Sequence, residues 1–334
     1  MADPDDDASD DELGEPPFPC ALPAGIRSDW PAPRRAVLGT RGGPLAWIEY
    51  ALARSVLGAL SRLPLGLRRP VVGAIARAAK ALDRRRSEAA RVFLRQALGS
   101  DLSAIQIERR VLQAWKHFFD ITLDSAAVPR RIPPARMLDH VEVSMCEDAE
   151  DIVEAKRGCV LATAHVGDWE TGAGVLPWIG FDPFYGVSKA PKNRRLSVHL
   201  QKLRERRGLR TLPRRGAMRD APAVVQGGGV LALILDQRAR KRPVIAPFFG
   251  RPARCDRSAA VLMKRLRAPI VFGACYRTEK PWRWRFDFPT VLWPKDFEGQ
   301  SVEAITARVN RELERLILAA PEQYFWLHDR YRGA

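Results

Sequence analysis

Apolar positions change their period along this chain. From 44 to 60, Leu45, Ile48, Leu52, Val56 and Leu60 recur at three- and four-residue steps, the spacing of one helix face. Pro44 suits the first helical turn. Glu49 and Arg54 interrupt the apolar run, so this helix either lies in a membrane interface or packs on the protein body. Two further helices are predicted over 70–98 and 101–124, the second carrying Ile105, Leu112, Trp115, Phe118 and Phe119.

Beyond about position 141 the pattern alternates. Cys159–Ala164, Val230–Leu235 and Pro269–Tyr276 are short apolar runs of the kind that form buried strands. Helices are predicted over 168–179 and 256–267. From Trp282 to Trp293, aromatic residues and Val alternate with polar ones, as in a half-exposed strand. Val302, Ile305, Val309, Leu313 and Leu316 mark one face of a helix over 301–319 that ends at Pro321. Strands alternating with helices predict an α/β layered sheet. Residues 1–43, rich in Asp, Pro and Gly, show no apolar period and are expected to be a disordered acidic tail. The expected organisation is that tail, a helical region over 44–125 open to membrane association, and an α/β catalytic region over 126–334.

Charge sharpens this division. The 334 residues carry 55 Lys and Arg against 39 Asp and Glu, a net charge of +16. Residues 1–30 contribute −8, which leaves +24 for the rest. So basic a body seeks an anionic partner. Twelve Lys or Arg fall within 189–219 against the single acid Glu205, and seven more within 238–257 against Asp256. Arginine clusters bind phosphate through paired, charge-assisted hydrogen bonds. Aromatic residues do not interleave with the basic ones in 189–219, and no nucleic-acid-binding signature stands out, so no nucleic acid is expected. Lipid phosphate, an anionic membrane surface or an acidic carrier protein fits better. The five cysteines are widely spaced without a Cys-x-x-Cys pair, which argues against a disulfide framework and structural zinc. The acidic N-terminus is not a secretory signal, and no run of about 18 apolar residues predicts a membrane-crossing helix.

Candidate chemistry lies at the ends of the predicted strands. His165 follows the first strand directly, where open α/β sheets place their sites. Glu170 falls in the first turn of the next helix, from which its carboxylate can fold back toward the imidazole. A carboxylate on one ring nitrogen fixes the tautomer and stabilises the imidazolium, making the other nitrogen a base for a hydroxyl. Gly167 permits the sharp turn between them. Asp168 competes for Glu170's place, or caps the helix. Asp236 and Gln237 end the second strand and either face the same crevice or cap the strand. Ala246-Pro-Phe-Phe-Gly250 either lines an acyl tunnel or packs a loop into the core.

In order, Ala164-His-Val-Gly-Asp-Trp-Glu170, Val187-Ser-Lys-Ala-Pro-Lys-Asn193, Leu235-Asp-Gln237, Pro247-Phe-Phe-Gly250 and Pro321-Glu-Gln-Tyr-Phe-Trp-Leu-His-Asp-Arg330 resemble the lipid A biosynthesis (lauroyl and myristoyl) acyltransferases. The resemblance spans roughly 45–332. It implies a glycerolipid-acyltransferase-like mixed α/β sheet flanked by helices, and a place at the cytoplasmic face of the inner membrane. It implies an acyl thioester donor, usually acyl carrier protein, and a phosphorylated glycolipid acceptor. His165 and Glu170 fall on the family's His-x4-Asp/Glu, and Asp236 on its Asp-Gln. The usual Arg before the Asn motif is Lys189 here, which keeps the charge and loses the bidentate fork. Lys189, Asn193, Arg194, Gln237 and Arg238 are the expected substrate-binding or supporting residues beside Asp168 and Asp236. Trp169, Phe248 and Phe249 are acyl-tunnel candidates. No Ser or Cys lies within 165–170, so direct transfer without an acyl-enzyme is expected, with no metal and no cofactor. The developing oxyanion would be met by backbone N–H groups at the helix start or by a nearby cation. An acyl-CoA-dependent phosphatidylinositol mannoside or other glycolipid acyltransferase would share these motifs. A catalytically dead basic protein that binds membrane surface or nucleic acid is the alternative of another class.

Overall fold

The computed structural model describes residues 38–99 and 102–333. The acidic tail expected over 1–43 therefore lies, up to position 37, outside the described residues. Four helices come first: α1 (Gly43–Arg62), α2 (Leu65–Leu82), α3 (Arg84–Leu98) and α4 (Ala104–Arg131). Then follow β1 (Val141–Met145), α5 (Glu147–Glu154), β2 (Cys159–Thr163), α6 (Trp169–Ala173), β3 (Phe184–Ser188), α7 (Arg194–Glu205), β4 (Leu209–Pro213), α8 (Ala217–Gln226) and β5 (Val230–Ile234). A ribbon of β6 (Val244–Phe248) and β7 (Arg251–Cys255) precedes α9 (Ser258–Leu266), β8 (Ile270–Arg277), β9 (Trp284–Leu292) and α10 (Val302–Ala319).

The fold is mixed α/β, as expected. One sheet runs β1-β9-β8-β2-β5-β3-β4, and β6-β7 form a separate antiparallel pair. Strands β8, β2, β5, β3 and β4 are parallel, while β9 returns antiparallel to β8 and carries β1 parallel to itself. The central β2 is almost wholly buried, which is why it reads as a continuous apolar run. One sheet face packs Val160, Ala162, Leu231 and Phe272 with Ile305, Val309 and Leu313 of α10. The other packs Leu161, Phe184, Phe286 and Phe288 with Ile152, Leu176 and Phe181.

Three boundaries differ from expectation, and the first is the helix predicted over 101–124, which continues to Arg131 as α4. The helix predicted over 70–98 breaks at Asp83, whose side chain accepts the Arg86 N–H at 2.9 Å and caps α3. The helix predicted over 168–179 stops at Ala173, and a 3-10 turn covers 176–179. Strands β1, β3, β4, β6 and β7 are five residues each, too short and mixed for periodicity to reveal.

Charged side chains tie the first helices to the sheet. Asp124 of α4 accepts from Arg68 of α2 at 2.6 Å and lies 2.8 Å from Arg277 at the end of β8. Arg68 and Asp124 are buried, and Arg68 stacks over Trp282. Helix α1 packs on α4 and α7 yet leaves Leu45, Ile48, Leu52 and Val56 exposed, Leu45 at 74%. No helix among the described residues is long and apolar enough to cross a membrane.

Candidate active site

The carboxyl end of β2 turns sharply through Ala164-His-Val-Gly-Asp168 into α6. Gly167 holds φ +63°, and a Cβ there would stand 1.9 Å from the Cys275 carbonyl oxygen, so only glycine fits. The turn is tied down on both sides. The Gly167 N–H donates to the Gln323 carbonyl at 2.8 Å and the Asp168 N–H to the Cys275 carbonyl at 2.7 Å. The Phe325 N–H donates to the His165 carbonyl at 2.9 Å. His117 of α4 is buried with Nε2 3.0 Å from the Gly167 carbonyl. Burial, then Arg277, holds the His117 pKa down to about 3.

Asp168 is the helix cap. Its Oδ1 accepts the Thr171 N–H at 3.1 Å, and its Oδ2 accepts from the Trp284 indole at 3.0 Å. The group is wholly buried; that burial, then Asp124, raises its pKa to about 6.

His165 meets a carboxylate, but not the one nearest in sequence. Its Nδ1 lies 2.8 Å from Asp236 Oδ1, just past the end of the adjacent β5. Asp236 Oδ2 accepts from the Tyr324 hydroxyl at 2.9 Å. Burial pushes the Asp236 carboxyl up, but the imidazole and the Tyr324 hydrogen bond outweigh it and hold the pKa below the usual range. Burial, then Asp236, holds the Tyr324 hydroxyl protonated, well above its ordinary range. The expected contact between Glu170 and the imidazole is thus corrected. Glu170 projects from the first turn of α6 into a bidentate pair with Arg204 of α7, at 2.8 and 2.9 Å. Burial raises the Glu170 pKa, but Arg204 outweighs it and leaves the carboxyl below its usual value. The same pair holds Arg204 above its usual value despite burial.

Beside His165 a cavity of about 110 Å³ runs down the sheet. Strand register explains its shape. Leu161, Ala232, Gly186 and Thr211 form one row across β2, β5, β3 and β4, and Gly186 and Ala232 supply little bulk. Phe184, Leu176 and Phe288 line its lower part, and Glu170, Arg204 and Trp169 its mouth. The Trp169 ring sits 5.0 Å from the His165 ring. The N–H groups of Gly167, Asp168, Thr171 and Gly172 are all engaged within the fold.

The other expected site residues are scattered. Phe248 and Phe249 do not line the cavity; they pack with Phe93 and Trp326 in the core on the opposite face, a correction to the tunnel reading. The β6–β7 ribbon turns them inward toward α10, which one-dimensional spacing does not reveal. Asn193 caps α7 through the Leu196 N–H, and its amide donates to the Ala46 carbonyl of α1 at 2.8 Å. Lys189 and Arg194 are exposed, Lys189 just past the end of β3. Gln237 Nε2 stands 3.5 Å from His165 Nδ1, and the Arg238 N–H donates to His328 Nε2 at 3.0 Å. Sequence reasoning missed Tyr324 and Arg204 as parts of the site. Tyr324 lay within a noted motif without a role, and nothing local separates Arg204 from the other basic residues around it.

The family model described as bacterial lipid A biosynthesis acyltransferase matches residues 43–333. No curated protein matches the chain.

Proposed function

Because the chain belongs to the bacterial lipid A biosynthesis acyltransferase family, we propose that it moves a fatty acyl group from an acyl carrier protein thioester to a hydroxyl of a phosphorylated glycolipid, with His165 as general base. The observation that carries this reading is the hydrogen bond from His165 Nδ1 to the buried Asp236, beside an apolar cavity. With the proton on Nδ1, Nε2 is left to accept the proton of the acceptor hydroxyl. Asp236, kept ionised, stabilises the imidazolium that forms. The hydroxyl oxygen attacks the thioester carbonyl; the tetrahedral intermediate collapses with loss of thiolate, which the imidazolium protonates. Arg204, held charged by Glu170, meets the negative charge on the carbonyl oxygen, and Glu170 therefore acts through Arg204. The acyl chain lies in the cavity beneath Trp169. Lys189, Arg194 and their neighbours attract the acceptor phosphates.

Helix α1 supports peripheral attachment to the cytoplasmic face of the inner membrane. Its exposed Leu45, Ile48, Leu52 and Val56 share one face, with Arg54 and Arg62 on other faces of the same helix, the pattern of an interfacial helix. Each such side chain buried in the interface contributes about 1.5 to 3 kcal/mol.

The test is transfer of a labelled acyl group from the carrier thioester to a phosphorylated glycolipid by purified protein. His165→Ala is expected to lose at least 99% of turnover, by analogy with loss of a general base worth about 10² or more, while keeping its circular dichroism. A folded His165→Ala protein that turns over normally overturns the mechanism.

A further inference from the structure

The two reactants of such a transfer differ in phase, and the molecule carries two cationic surfaces to match. The first adjoins α1. Arg54 and Arg62 project from that helix, and the Arg41 and Arg194 backbones pair beside it, with the Arg194 N–H donating to the Arg41 carbonyl at 2.9 Å. The exposed apolar stripe of Leu45, Ile48, Leu52 and Val56 lies on another face of the same helix. The second surface is built on other supports. The β6–β7 ribbon packs on α10, whereas α1 packs on α4 and α7.

The ribbon's faces divide cleanly. Val244, Ala246, Phe248, Ala253 and Cys255 are buried inward. Asn310 of α10 clamps that side, its amide donating to the Pro247 carbonyl at 2.7 Å. Outward, Ile245 stands 54% exposed and is paired in register with Arg254. Arg240, Lys241 and Arg242 are exposed on the loop that joins Asp236 to the ribbon. Arg251 lies over the Tyr331 ring at 4.7 Å, and an Arg238 guanidinium N–H donates to the Arg332 carbonyl at 3.3 Å. Burial, then the crowding of Arg240 and Arg332, depresses the Arg238 pKa, with Asp329 offsetting in part. The result is one exposed aliphatic residue, paired with Arg254, on a ribbon and loop rich in cations. It lacks the long apolar stripe of α1, and begins two residues after the aspartate that holds His165.

We propose that the 238–242 loop and the outer face of the β6–β7 ribbon form the docking face for the acidic carrier protein that delivers the acyl thioester. This rests on the acyl-transfer reading above. A soluble, acidic partner is attracted by dense positive charge and seats a small apolar contact at its centre; a bilayer needs the broader stripe that α1 supplies. The donor then docks on the loop that follows Asp236, while the acceptor stays anchored on the α1 surface.

The experiment uses the full chain with two double variants, Arg240→Glu with Arg242→Glu, and Arg54→Glu with Arg62→Glu. Steady-state transfer is measured with the carrier thioester and with the corresponding acyl-pantetheine, which lacks the protein. The first variant is expected to raise KM for the carrier thioester at least tenfold, with kcat within twofold and acyl-pantetheine kinetics unchanged. Its remaining carrier affinity should also depend less steeply on salt. The second is expected to lose retention on anionic phospholipid vesicles and to keep the carrier KM within twofold. An unchanged carrier KM in the first variant, or an equal rise in both, overturns the docking face. Wild-type protein that accepts no thioester at all would instead overturn the acyl-transfer reading.

Discussion

Replacing Asp236 by Asn separates the two carboxylates that sequence and structure offer as partners for His165. The substitution keeps size and one acceptor oxygen but removes the charge that faces the imidazole at 2.8 Å. Two unit charges at that distance attract by about 6 kcal/mol at an effective dielectric near 20. An amide oxygen retains part of this. The expected net loss is about 4 kcal/mol in the transition state, where the imidazolium forms, or about 10³-fold in kcat. An Asn that turned its NH2 toward Nδ1 would favour the wrong tautomer and deepen the loss. Glu170→Gln removes a charge from the other carboxylate, whose hydrogen bonds go to Arg204. It weakens the hold on a cation at the cavity mouth, so a smaller loss of about tenfold is expected, roughly one charge-assisted hydrogen bond. The assay is kcat with saturating thioester and glycolipid, after denaturant titration shows both variants folded. The reasoning fails if Asp236→Asn costs less than tenfold while Glu170→Gln costs about 10³-fold.

Tyr324→Phe removes the hydroxyl that bonds Asp236 and keeps the ring contacts. Because that bond helps hold Asp236 ionised beside the imidazole, kcat should fall about tenfold with the fold kept; an unchanged kcat assigns Tyr324 to packing alone. Gly167→Ala drives a Cβ into the Cys275 carbonyl at a left-handed φ, and urea unfolding should show a loss of about 3 kcal/mol or more. His117 is buried neutral with its pKa lowered to about 3, below its unfolded value. Its contribution to stability is thus present above about pH 6.5 and is lost as pH falls toward 3, amounting to about 2 kcal/mol by pH 5. His117→Asn should flatten that part of the stability–pH curve, and unfolding midpoints that keep the wild-type slope would contradict this.

Much of the architecture follows from local pattern. Long amphipathic stretches such as 301–319 fold as helices because burying one face at a 3.6-residue period needs no distant information. The apolar runs at 159, 230 and 270 became central strands because a strand covered on both faces must be apolar throughout. The position of His165 at a strand end, Asp168 as a cap and the glycine turn between them were legible for the same reason, since each depends on neighbours a few residues away. The charge division between acidic tail and basic body is likewise a property of sequence alone. What the chain pairs across distance was not legible. Strands β3 and β4 hold Gly186 and Thr211 in the cavity row, yet five residues of mixed polarity leave no period. Glu170 is five residues from His165 and turns to Arg204, while Asp236, 71 residues away in sequence, bonds the imidazole. Parallel pairing of β2 with β5 sets Thr163 beside Ile234 and so brings their two loops together. Helix α6 instead points Glu170 into the cavity mouth. Sequence thus supplied the histidine and a choice of carboxylates, and the register of two parallel strands decided between them.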